Sequence, residues 1–155
     1  MKIWRLLVAG VGVIALVGCA PAPQSLSATP AARASSATDD SALTRTDAQG
    51  AVSVAVTPLS LDLASATLDF TVALSTHSVD LSWDLASQAT LSTDTGLQVA
   101  GASWPVSSGH HVEGTLSFPP RTADGRALLE GARTLTLTLR DTDVAARTFV
   151  WDLAP

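Results

Sequence analysis

Tyrosine is absent from this chain, cysteine and lysine occur once each, and glutamate occurs only at Glu113 and Glu130. Each shortage removes a class of chemistry. A lone cysteine closes no disulfide within the chain, so stability has to come from a packed core. The single lysine, Lys2, stands in the first five residues. Without clustered Lys and Arg the chain lacks the electrostatic footprint of a nucleic-acid binder. It also lacks the polybasic patch that holds anionic lipid surfaces. Methionine occurs once, at position 1, and aromatic residues make up 5% of the chain. The core therefore has to be Val, Leu and Ala with a few Phe and Trp.

What is present begins with Met1-Lys2-Ile3-Trp4-Arg5, a short basic start. Leu6 to Val17 is an apolar run interrupted only by small glycines, and Gly18 and Cys19 follow. A basic region, an apolar region and a small residue before a cut describe a secretory signal. A retained transmembrane helix is the alternative. The run from Ile3 to Ala20 is barely the roughly 20 apolar residues a span needs, and Ala20-Pro21-Ala22-Pro23 offers no charged or aromatic flank. The ending Leu16-Val17-Gly18-Cys19 resembles the lipobox of bacterial lipoproteins. The resemblance implies removal of residues 1–18, lipid on the Cys19 thiol, and a place in the cell envelope facing away from the cytoplasm. Such proteins typically carry two or three acyl chains, which hold a membrane stably where one holds weakly. Lipid on the only thiol also removes thiol-redox, thiol-nucleophile and copper-thiolate chemistry. The mature chain would then carry seven Arg against fourteen Asp and Glu, a net charge of −7.

Cys19 to Gln49 reads as a lipidated cysteine and a disordered tether of Ala, Ser, Thr and Pro, too poor in large apolar residues to offset ordering entropy. O-glycosylation of its hydroxyls is a compositional option. From residue 50 to 155 the texture is period-two alternation. Strands are expected over 51–57 (ended by Pro58), 66–75, 77–84, 89–93, 97–104, 110–118, 133–140 and 145–153. The junction at Thr76 fits either a tight hairpin or one bent strand. Short helical turns are expected at 84–88 and 127–130. Asp94-Thr95-Gly96 and Asp141-Thr142-Asp143 read as turns. Gly101 suggests a bulge or a close backbone approach. Seven to eight short strands predict an all-β fold, a single antiparallel β-sandwich of immunoglobulin-like type. A small closed barrel is the alternative.

The residues that bear chemistry are few. His77, His110 and His111 are candidate transition-metal ligands, with Glu113 or Asp80 as a carboxylate partner for copper or zinc. Two of the expected strands begin at His77 and His110, so their ends could share a rim. Adjacent residues on a strand point to opposite faces, so His110 and His111 share one ion only if Gly109 turns the backbone. The alternative is half-buried His77 and His110 satisfied by hydrogen bonds, with His111 in solvent. A Ser–His–Asp triad has no GxSxG elbow to support it, and Glu113 and Glu130 have no context marking a carboxylate pair. Trp83 and Trp151 share parity with apolar residues and read as core. Trp104, before Pro105, is the candidate exposed aromatic for carbohydrate binding. Asp94, Asp141 and Asp143 suit turns better than calcium.

Thr76-His77-Ser78-Val79-Asp80-Leu81-Ser82, with Gly109-His110-His111-Val112, looks similar to a domain found in bacterial secreted and lipid-anchored proteins. That likeness brings no activity and no catalytic residue. The expectation is a lipid-anchored, extracytoplasmic β-sandwich that is not an enzyme, needs no cofactor and acts as a binding or structural module. Its partners would be the membrane, through Cys19, and an unspecified protein or surface. A metal-binding protein and a carbohydrate-binding domain are the alternatives.

Overall fold

Leucine alternating with threonine is the plainest local pattern in the chain. In the computed structural model, which describes residues 40–62 and 64–153, residues 134–140 form a strand. Leu135, Leu137 and Leu139 are buried, and Thr134, Thr136 and Thr138 lie half-buried on the other face. The elements in chain order are α1 (Asp40–Leu43), β1 (Arg45–Asp47), β2 (Val52–Ser60), β3 (Leu68–Thr76), α2 (Leu85–Gln88), β4 (Ala89–Thr93), β5 (Gln98–Ala100), β6 (His111–Phe118), β7 (Thr134–Arg140) and β8 (Ala146–Asp152). The strands make two antiparallel four-stranded sheets, ordered β1-β2-β3-β6 and β5-β4-β7-β8. The expected all-β sandwich is the fold. The signal segment, Cys19 and the tether up to residue 39 lie outside the described residues.

Inward-facing Val, Leu and Phe of both sheets interdigitate, as sheet-on-sheet packing requires. Phe70 of β3 lies 5.4 Å from Trp151 of β8, ring centre to ring centre, which joins the two layers. Phe118 of β6 meets Phe70 edge-on at 5.7 Å. Such aromatic pairs are worth about 0.5–1.5 kcal/mol each beyond the area they bury. The Trp151 indole also has a polar obligation, and its Nε1 donates to Leu43 O at 2.6 Å.

Four local expectations need correction. The tether does not extend to Gln49, because Arg45–Asp47 pairs with β2, Arg45 opposite Val56 and Asp47 opposite Val54. This strand is tied to β8 by polar side chains from both, Arg147 reaching Asp47 and Arg45 reaching Val150 O, which alternation does not reveal. Pro58 does not end its strand. The register shifts between Pro58 and Ser60, and past Val56 no described strand pairs with β2 on the β1 side, where an edge tolerates the missing N–H. The 77–84 run is not a strand but the crossing from one sheet to the other. Its apolar residues fill the gap, Leu81 buried and Val79 and Trp83 packed on the core. Its backbone is held by Thr76 Oγ1, which accepts from Ser78 N, and by Gly109 O, which accepts from Leu81 N. Finally, the 97–104 run is a strand only over Gln98–Ala100. The close approach expected at Gly101 is real: a Cβ there would sit 2.5 Å from Ala86 O.

Candidate functional site

The two histidine segments meet through the register of β3 and β6. Ser75 pairs with His111, and Thr76 N donates to His110 O at 2.9 Å. His77 follows directly after this pair, so the strand ends are neighbours. All three histidines are exposed. His111 Nδ1 and Ser75 Oγ are 2.9 Å apart across the strands. Glu113 lies two residues on, on the same outer face, opposite Ala73. Together these residues line a shallow hollow of about 230 Å³. Asp80 Oδ1 accepts from Gly109 N at 3.3 Å, which fastens the crossing segment to the loop before β6. Among the described residues no three His, Cys, Asp or Glu side chains gather closely enough to hold a metal ion. The register thus brings the histidine backbones together without collecting their side chains.

Trp104 was the expected exposed aromatic, and it is buried, at 8% exposure. The reason lies ten residues further on. Gly114 occupies an inward-facing position of β6, between Val112 and Leu116, and leaves a vacancy. A Cβ at Gly114 would lie 3.1 Å from the Trp104 ring and 2.6 Å from Pro105 Cγ. The indole and the proline fill the space a side chain would take, so Trp104 offers no open platform for a sugar.

The turn aspartates act on the backbone. Asp94 Oδ1 accepts from Arg133 N at 3.0 Å and Thr134 N at 3.2 Å. Those two bonds hold its carboxyl below the ordinary carboxylate range. Asp141 and Asp143 both adopt left-handed backbone, φ 55° and 67°, which Asp tolerates better than most residues. Asp143 Oδ2 accepts from Ala51 N at 2.6 Å.

Two arginines matter that sequence reasoning did not single out. Arg147 shares the parity of Phe149 and Trp151 and is completely buried. Its Nε and Nη2 each donate to Thr142 O at 3.2 Å, Nη2 donates to Gln49 O at 2.8 Å, and Nη1 is paired with the Asp47 carboxylate. Burial opposes ionisation of Asp47, but hydrogen bonds from Gln49 and the Arg147 charge hold its pKa below the usual value. The only advance signal was a charged residue on the apolar parity of the last strand. The second, Arg121, is exposed in the loop before β7 and lines two hollows beside β5. A loop arginine has no spacing to mark it.

Among the described residues no helix is long and apolar enough to cross a membrane. Set against known proteins, the chain matches no family model, no curated protein and no solved structure.

Proposed function

We propose that this chain is a lipid-anchored, extracytoplasmic β-sandwich serving as a non-enzymatic binding or structural module. The address rests on Leu16-Val17-Gly18-Cys19 behind a basic start and an apolar run. The module reading is supported by where the polar groups direct their hydrogen bonds. Ser75 with His111, Asp80 with Gly109, Asp94 with Arg133 and Thr134, and Arg147 with Asp47 each tie one chain segment to another. These side chains stiffen a scaffold and orient its rims, as suits a domain that presents surfaces.

The test is metabolic labelling of the full chain in a bacterial host with an alkynyl palmitate analogue. Label on the wild-type chain, absent from Cys19→Ala, is the expected result. An unlabelled wild-type chain, or equal label on the variant, overturns the anchor. Melting of the same chain with copper or zinc addresses the other reading. A Tm raised by either metal and restored by His77→Ala would replace the module with a metal-binding protein.

A further inference from the structure

A sandwich has sheet edges, and exposed edges invite other chains unless they are blunted. Two edges here are met from within at one residue each. On β8, Val150 O accepts from Arg45 Nε at 3.0 Å. On β6, Ser117 O accepts from Ala102 N at 2.8 Å, and Ser117 N donates to Ser103 O at 3.1 Å. The edge of β5 differs. Thr93 N donates to Leu97 O and Gly101 N donates to Ala89 O, so Leu97, Val99 and Gly101 turn their backbone groups toward β4. In an antiparallel strand the residues between them turn theirs the other way. The N–H and C=O groups of Gln98 and Ala100 therefore face outward, and none has a protein partner among the described residues.

Those four groups look into a groove of about 450 Å³, within the size range of ligand clefts. Its far wall is Pro119, Arg121, Thr122 and Ala123. Arg121 Nη1 donates to Gly125 O at 3.0 Å, while its Nε and Nη2 have no protein partner among the described residues. A second hollow of about 220 Å³ reaches the Leu97 end, shares Arg121 and adds Arg126 and Glu130. A chain with a mature charge of −7 thus sets two of its seven arginines beside this edge, against one glutamate, Glu130.

The geometry points to capture of an extended acidic peptide of a partner protein, laid along β5 as a fifth strand of that sheet. Main-chain groups of Gln98 and Ala100 would supply affinity, as in other strand additions. A carboxylate of the peptide would take the free fork of Arg121, the geometry such pairs favour. This inference rests on the binding-module reading and names its ligand class.

The test uses the full lipidated chain in detergent and a displayed library of random peptides as the probe. Selected peptides should be rich in Asp, Glu and strand-forming residues and poor in Pro. Ala100→Pro removes an N–H that faces the groove and leaves the bonds to β4 intact, so its urea midpoint should match wild type while peptide binding is lost. Arg121→Glu should weaken binding by at least about tenfold, with Arg121→Lys in between. Peptides that bind both variants as tightly as wild type overturn the edge proposal and leave the module reading standing. Failure to select any peptide also overturns it, while labelling at Cys19 answers separately for the anchor. Sedimentation showing a wild-type dimer that Ala100→Pro dissolves would assign the edge to a second copy instead.

Discussion

Arg147 is the residue on which most of the molecule's polar architecture converges. It is fully buried and holds Thr142 O, Gln49 O and the Asp47 carboxylate at once. Arg147→Ala would take this donor from a partly exposed carboxylate, which keeps its bonds from Gln49, and from two carbonyls, and leaving a buried acceptor unsatisfied costs about 1–3 kcal/mol. Urea unfolding should show a loss of about 1–3 kcal/mol, and Asp47→Ala added to it should recover part of the loss. A variant as stable as wild type would mean that the pair contributes nothing. Little of this was legible from the residue alone. An arginine alternating with Phe149 and Trp151 could be an edge position or a buried one, and two of its partners, Asp47 and Gln49, lie about a hundred residues away in sequence. The histidines were the opposite case. Their residue type drew attention, and their placement followed from register, which sets His111 beside Ser75 and leaves all three histidines exposed.

At the scale of elements, period-two alternation was a good guide wherever a strand had partners on both sides. β7 reads directly from Leu135, Leu137 and Leu139 against three threonines, because each parity has one environment. The same pattern misled at 77–84, where Val79, Leu81 and Trp83 fill the space between sheets rather than one face of a ladder. β1 escaped notice because three polar-to-charged residues carry no alternation, and their pairing is imposed by Trp151, Arg147 and Arg45. Trp104 shows how one element answers for another: its burial depends on the missing side chain of Gly114. Gly114→Ala should therefore destabilise the chain by about 1–3 kcal/mol through overpacking, read as a lower urea midpoint. An unchanged midpoint would mean that the Trp104–Pro105 segment moves aside freely.

For the molecule as a whole, the carboxylates that bind backbone amides set its response to acid. Asp47 and Asp94 have native pKa values below the unfolded value of 3.8. A depressed pKa contributes stability that is fully present above the unfolded value and is lost as pH falls through the native one. The urea midpoint should therefore drop on acidification below about pH 4. Asp94→Asn keeps an acceptor oxygen but no titration, so it should lose less of its stability over that range than wild type does. Equal losses would show that Asp94 is not a source of the acid response. The sandwich class was readable from strand count and turn spacing, whereas sheet order was not, because pairing depends on contacts far apart in the chain. The first strand has a mechanical meaning as well. If the chain is held at Cys19 and a partner pulls on the other end of the assembly, tension running along residues 19–39 enters the sandwich at α1. The bonds it meets there tie this end to β8: the indole of Trp151 donates to Leu43 O, Arg45 of β1 donates to Val150 O, and Arg147 pairs with Asp47. Under that tension the load would be shared between the first and last strands before it reached the apolar core, with a buried arginine as the strain relief.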